Sequence, residues 1–212
     1  MRLNADFSKR AAVHFEDTPW VQSPSAGVER KMLDRIGEEV ARATSIVRFA
    51  PGSAFAAHTH GGGEEYLVLD GVFQDESGDF PVGSYVRNPP TSRHTPAAAE
   101  GATILVKLHQ FDPADRTQVH VDTTGLTGPA AQVFEDVREK VQMMVLAPGA
   151  SLELDTSGGC EVFVIEGSFE ESGETFGRWD WLRLPPGAEL TARAGVQGAR
   201  LWTKTGHLAD QV

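Results

Sequence analysis

The sequence contains a single cysteine, Cys160, among its 212 residues. One thiol cannot form an internal disulfide, and it cannot supply a cysteine-rich zinc finger. No apolar run approaches the length that spans a membrane, and residues 1–13 lack the apolar segment of a secretion signal. We therefore expect a soluble, cytoplasmic protein without disulfides.

Positive charge is scarce. The chain has 19 Lys and Arg against 30 Asp and Glu, which gives a formal net charge of −11. A body this acidic repels nucleic-acid phosphates and anionic membrane surfaces. We therefore expect neither nucleic acid nor membrane among its partners.

Long apolar segments with a helical period are also missing. The apolar runs are short, rich in β-branched or aromatic residues, and separated by glycines and prolines. Examples are 67–69, 104–106, 162–165 and 182–184. Many short strands between turn residues are typical of a β-sandwich or β-barrel. The pattern predicts an all-β fold with little helix.

An internal repeat divides the chain into two halves. The matched elements, at an offset of 97 and then of 96, are residues 38–52 with 135–149, residues 69–71 with 165–167, and residues 89–90 with 185–186. The matches keep their order and nearly the same offset, which indicates a duplication. We predict two homologous barrels, an N-terminal domain 1–112 and a C-terminal domain 113–212.

The first half contains three histidines and a glutamate that form a candidate metal site. His58 and His60 are two residues apart, so on a strand both side chains point to the same face. Three glycines, 61–63, permit a tight backbone course before Glu64, and a distant segment supplies His94. Three imidazoles and one carboxylate suit one divalent transition metal. Zinc is the first expectation, with iron, manganese and nickel as alternatives.

These residues resemble the cupin superfamily. Its first motif is a Gly, five residues, His-x-His, three or four residues, Glu, six residues and Gly. Every interval is met by Gly52, His58, His60, Glu64 and Gly71. Gly83, Pro89 and His94 fit the second motif, although Thr91 and Ala98 replace its inner Gly and its Asn. The resemblance implies two tandem cupin barrels of the double-stranded β-helix, or jelly-roll, type, with the metal site in the first.

Residues 28–108 resemble more narrowly the ChrR-like cupins, in segments such as Gly62–Phe73 and Val86–Pro90. That group includes the C-terminal cupin-like domain of ChrR anti-sigma factors, in which the matching residues hold zinc. It also includes ketone-cleaving dioxygenases that use iron. In the anti-sigma factors, a domain with its own zinc site precedes the cupin. Here about 27 residues without cysteine precede the first barrel, so sigma binding by that domain is not expected from this chain alone.

The resemblance implies two functions, and a non-catalytic module that binds a small molecule is a third hypothesis. The first is regulation or sensing, related to the anti-sigma factors and to oxidative stress. The second is a mononuclear non-haem Fe(II) dioxygenase that cleaves a small ketone or diketone, so enzymatic activity is left open. Expected partners are a small-molecule ligand, a protein such as a sigma factor, and a second copy of this chain, because dimers are common among cupins.

Two residues beside the candidate site need a choice. Glu64 and Glu65 face opposite ways on a strand, so only one of them can reach the metal. The interval to Gly71 favours Glu64, and Glu65 is expected to face away towards an arginine or the backbone. Tyr66 shares the face of Glu64 and is a candidate pocket residue.

The second half has lost the matching ligands. Asp155, Ser157 (with Thr156 as the alternative), Cys160 and Leu190 stand where the first half has its three histidines and glutamate. We expect no metal site there and a buried, inert Cys160, with a redox-sensing thiol as the alternative. No role is assigned to four further histidines, 14, 109, 120 and 207. The acidic hairpin tip 75–79 is expected to be a solvated turn, with a second cation site as the alternative.

Overall fold

The computed structural model describes residues 1–210. These residues form 21 β-strands and no helix, which confirms the all-β prediction. No helix among them is therefore long and apolar enough to cross a membrane. The strands in chain order are β1 (Arg2–Leu3), β2 (Ala11–Val13), β3 (Val21–Gln22), β4 (Val28–Gly37), β5 (Ala41–Phe49), β6 (Ser53–Ala54), β7 (His58–Thr59), β8 (Glu64–Asp75), β9 (Gly78–Pro81), β10 (Ser84–Asn88), β11 (Arg93–His94), β12 (Ala97–Ala98), β13 (Ala102–Leu108), β14 (Val119–Asp122), β15 (Ala131–Glu135), β16 (Lys140–Leu146), β17 (Ser151–Leu152), β18 (Cys160–Glu171), β19 (Glu174–Phe176), β20 (Trp181–Leu184) and β21 (Ala192–Thr205).

The strands belong to two compact units. The first unit comprises Met1–Ala5 and Pro19–Thr124, and the second comprises Asp6–Thr18 and the chain from Gly125 onward. They differ from the halves expected from the repeat because β2 pairs with β20 and β14 pairs with β10. The division into an N-terminal domain 1–112 and a C-terminal domain 113–212 stays a prediction.

The first unit is built on antiparallel strands in the order β1-β4-β5-β13-β8-β10-β14. Strand β3 pairs with β4, β9 pairs with β8, and β12 joins β6 and β8. Two short strands, β7 and β11, form a separate ladder. This ladder contains two of the candidate metal-binding histidines.

The second unit repeats this arrangement in the order β15-β16-β21-β18-β20-β2. Strands β16, β18 and β20 take the places of β5, β8 and β10, and the last part of β21 takes the place of β13. The matching glycines Gly71 and Gly167 both have positive φ, at 70° and 73°. The internal repeat in the sequence is therefore also a structural repeat.

Each unit has its own apolar core, formed by alternate residues of its strands. In the first unit, Tyr66 and Val68 of β8 pack with Val86 of β10 and with Ile104 and Val106 of β13. Burying a side chain of this size stabilises the fold by about 1.5–3 kcal/mol. These strands therefore give the candidate site a rigid support.

Cys160 lies in the core of the second unit and is fully buried. Burial, with a contribution from the charge of Glu161, raises the pKa of its thiol to about 12. Since the thiolate is the reactive form, this position favours an inert cysteine over a redox sensor.

Candidate metal centre

The four predicted ligands lie together in the first unit. One ligand atom from each of His58, His60, Glu64 and His94 lies within 4.8 Å of the others. The Nε2 atoms of His60 and His94 are 3.3 Å apart, and they lie 3.3 Å and 3.5 Å from Glu64 Oε2. The sequence spacing therefore identified side chains that share one point.

Backbone pairing brings the histidines to this point. His58 of β7 stands directly opposite His94 of β11. The pairing continues past the strand, because His60 N donates to Ser92 O at 2.9 Å and Thr91 N donates to His60 O at 2.9 Å. His60 is thus held in extended pairing and shares the face of His58.

The glycine run lets the chain pass close to the segment after β13. His109 N and Phe111 N donate to the carbonyls of Gly63 and Gly62. Gly63 has φ +79°, and a Cβ there would lie 2.3 Å from the Phe111 ring. Only glycine fits this close approach, and it starts β8 with Glu64 in position.

The Nδ1 atom of each histidine faces an oxygen. His60 Nδ1 lies 2.9 Å from Ser92 Oγ, whose own proton is donated to Pro89 O. His94 Nδ1 lies 3.3 Å from Asp75 Oδ2, and His58 Nδ1 lies 3.3 Å from Ala56 O. These acceptors select the tautomer with the proton on Nδ1. In that tautomer each Nε2 presents a lone pair, as metal-binding histidines do.

The protonation states also suit a metal ligand set. Burial raises the pKa of Glu64, but the contact with His60, the charge of His94 and the amide of Asn88 outweigh it and keep the pKa below its usual value. Burial lowers the pKa of His94, and although Glu64 opposes this, the net shift is downward. The site therefore favours a carboxylate beside a neutral imidazole, the forms that bind metals.

The donor set fits a transition ion. Metal–ligand bonds of about 2.0–2.2 Å place neighbouring donor atoms roughly 3.0–3.5 Å apart. The three distances among His60, His94 and Glu64 are between 3.3 and 3.5 Å. Lone pairs and a carboxylate at this separation repel each other unless a proton or a metal cation lies between them. These four residues could therefore hold one ion.

Glu65 and Tyr66, the two residues that follow Glu64, lie on opposite faces of β8. Glu65 accepts a hydrogen bond from Tyr85 at 2.6 Å and lies 4.0 Å from Arg87, away from the histidines. Tyr66 is buried against Phe73, and its hydroxyl has no hydrogen-bond partner among the described residues. Burial, with the charges of Glu64 and Asp75, raises the pKa of that hydroxyl. The role of Tyr66 as a pocket residue stays a prediction.

A cavity of about 390 Å³ has His58, Glu64 and His94 in its wall. This volume lies within the range of ligand sites, about 300–1,000 Å³. The described residues that complete the lining are Ser23, Ser25, Val28, Arg30, Arg35, Ala43, Ser45, Val47, Phe49, Phe55, Ala56, Phe73, Pro96, Ile104, Val106 and Leu108. A small molecule in this cavity would contact three of the four candidate ligands.

The second unit lacks a comparable group. Among residues 1–210, only the cluster in the first unit brings three or more potential ligands together. Asp155 accepts a hydrogen bond from the backbone of Ser157, and Leu190 packs on the apolar core. The remaining histidines lie elsewhere: His14 contacts Asp180, for example, and His120 is exposed beside Phe80.

Three residues that support the site were not found from sequence. Ser92 and Asp75 contact His60 and His94, and the Asn88 amide lies 3.3 Å from Glu64 Oε2. Asp75 was expected in a solvated turn, whereas its side chain is buried against His94. Such partners are set by tertiary contacts and have no fixed spacing from the ligands. Asn88 and Ser92 are polar residues within the second motif, which was the only available signal, and Asp75 had none.

Replacing Asp75 by asparagine is expected to weaken metal binding by about 10- to 100-fold, as found for outer partners of metal ligands. The amide oxygen can still accept the Nδ1 proton of His94, but the negative charge that makes Nε2 a better donor is lost. The measurement is a competition titration with a chromogenic chelator. Asp79→Asn, at the exposed end of the same hairpin, should leave the affinity unchanged. Equal affinities for both variants would contradict a supporting role for Asp75.

Comparison with known proteins agrees with this geometry. Residues 8–112 match the family model described as the ChrR cupin-like domain. These residues are a ChrR-like cupin domain. The chain is also 35% identical over 100 residues to the anti-sigma-E factor ChrR of Cereibacter sphaeroides, and the match covers 47% of this chain and 45% of that protein. It thus spans less than half the length of this curated relative.

Solved structures extend the likeness of fold beyond the ChrR-like domain. The nickel(II) complex of the bacterial pirin YhhW from Escherichia coli has a TM-score of 0.72 at 10% identity, covering 92% of this chain and 98% of that chain. A cupin 2 conserved barrel domain protein from Leptotrichia buccalis has a TM-score of 0.62 at 11% identity, covering 96% and 99%. The prediction of two tandem cupin barrels is confirmed.

Proposed function

We propose that this protein is a metal-dependent ChrR-like cupin that binds a small molecule in the cavity beside its metal centre and acts in sensing or regulation, such as a response to oxidative stress. The proposed ligands are His58, His60, Glu64 and His94, and zinc is the proposed metal. A bound ion would supply Lewis acidity at this point, and iron would add redox chemistry with dioxygen.

One observation supports this proposal above all others. Three imidazole rings and a carboxylate converge, and three of these four residues also line a cavity of ligand size. A purely structural ion would need no such cavity beside it. The regulatory role is supported by the similarity to an anti-sigma factor. A sigma factor is accordingly a candidate protein partner.

A second candidate function is a mononuclear Fe(II) dioxygenase that cleaves a small ketone or diketone. Four protein ligands would leave two positions free on an octahedral ion, one for the substrate and one for dioxygen. The cavity beside the candidate ligands offers the space for that substrate. Its apolar wall would hold the substrate and keep bulk water away from the metal. In this function, the chain itself would select and orient the substrate.

Elemental analysis of the purified protein tests the shared part of both functions. We expect one transition-metal ion per chain, and zinc would support sensing whereas iron would favour the dioxygenase. Oxygen uptake by iron-loaded protein with a panel of small diketones, such as 2,4-pentanedione, separates the two. Protein that retains no ion would contradict both. A pull-down that recovers no sigma factor would remove the sigma-partner part of the proposal.

A further inference from the structure

Two arginines of β4 line the cavity beside the candidate metal centre. Arg30 and Arg35 are five residues apart, so on a regular strand they would face opposite ways. A register shift between Met32 and Asp34 inserts an extra residue. As a result Arg30 pairs with Val47 and Arg35 pairs with Ala43, two positions on the same face of β5.

The two guanidinium groups are close and poorly compensated. Arg35 is 4% exposed, and burial together with the charge of Arg30 lowers its pKa. Arg35 donates to the backbone oxygen of Glu38, and Arg30 Nη2 lies 3.6 Å from Glu39, whose side chain is 67% exposed. The Nε of Arg30 is buried and has no hydrogen-bond partner among the described residues. Exposed carboxylates offset a buried charge only weakly.

The rest of the cavity wall offers no other anion for this pair. Among its described lining residues, Glu64 is the single acid, and it belongs to the metal cluster. Much of the remaining surface is apolar and includes Phe49, Phe55 and Phe73. One buried and one half-buried cation in a largely apolar wall suit a ligand with one anionic end and an apolar body.

We propose that the cavity binds an organic acid, with its carboxylate held by Arg30 and Arg35 and its apolar body against Phe49, Phe55 and Phe73. The inference rests on the proposed function in taking this cavity as the ligand site. The planar guanidinium fork matches a carboxylate, and charged hydrogen bonds of this kind are the strong ones.

Calorimetric titration with 3-phenylpropanoate and with its neutral analogue 3-phenylpropanamide tests this inference. The two probes share one apolar body, so we expect the carboxylate to bind on the order of 10- to 100-fold more tightly. Arg35→Gln should remove most of this difference, and Arg35→Lys should keep part of it. Arg48→Gln is the matched control, because Arg48 is exposed and paired with Glu29 on the outer side of the same strand pair.

Several results would overturn the proposal. They are failure of the carboxylate to bind, equal binding of the amide, or unchanged affinity in Arg35→Gln. Displacement by inorganic phosphate at equal concentration would indicate a general oxyanion site instead. If Arg35→Gln does not fold, by circular dichroism, the less buried Arg30→Gln takes its place.

Measuring metal content in the same samples separates this proposal from the metal function. Arginine-dependent carboxylate binding in protein without metal would support the anion site and contradict the metal centre. A full equivalent of metal with no arginine-dependent binding would support the metal centre and contradict the anion site.

Discussion

Replacing His94 by alanine is expected to weaken metal binding by more than about 100-fold, since removing a ligand should cost more than removing an outer partner. Protein purified with one ion per chain should therefore lose it on dialysis against a weak chelator. The physical reason is that His94 Nε2 lies within 3.5 Å of both His60 Nε2 and Glu64 Oε2. Without that lone pair, the cluster keeps three donor groups, and one more coordination position of the ion is left to water.

The matched control is His120→Ala, because His120 is an exposed histidine of the same unit that lies outside the cluster. It should retain the full equivalent of metal. Unfolding curves of both variants, measured without metal, distinguish loss of metal affinity from loss of the folded state. A His94→Ala protein that folds and keeps a stoichiometric ion would contradict the ligand assignment.

Replacing Gly71 by alanine is expected to destabilise the first unit by about 2–4 kcal/mol. Gly71 has φ +70°, and a Cβ there would lie 2.2 Å from the carbonyl oxygen of Gly101. The first cost is backbone strain of roughly 1 kcal/mol or more. The second is a clash with the backbone immediately before β13, which cannot move aside without disturbing the β8–β13 ladder. Urea unfolding measures the sum.

Gly52→Ala separates the two costs. Gly52 also has positive φ, at +79°, but a Cβ there would meet nothing within 4 Å. Its cost should therefore be the strain alone. Equal losses in the two variants would show that the close approach at Gly71 contributes nothing. Gly167 has φ +73° and an oxygen, that of Gly198, at the same 2.2 Å, so Gly167→Ala should behave like Gly71→Ala in the second unit.

The fold was largely accessible from the sequence because its signals are local. Short β-branched runs between turn residues predicted the strands, and the duplicated segments predicted two similar barrels. The structure matches both, as in the equivalent places of β8 and β18. The limits of the two units were less accessible. Strands β2 and β14 pair with β20 and β10, and nothing in their own sequences specifies those partners.

The site shows the same division. His58, His60, Glu64 and His94 could be selected because strand periodicity and motif spacing are properties of the chain itself. Their supporting partners could not. Ser92 and Asp75 touch the imidazoles only after distant segments are paired, and the hairpin of Asp75 looked like an ordinary acidic turn.

The amino-acid sequence by itself determined the all-β class, the duplication and the four converging candidate ligands, because each depends on spacing along the chain. Only the tertiary structure decided what surrounds them. The period-two rule places Arg30 and Arg35 on opposite faces, and a single bulge in β4 places both in the cavity wall. A bulge depends on how two strands pair, so the charge of the cavity is a property of the folded barrel.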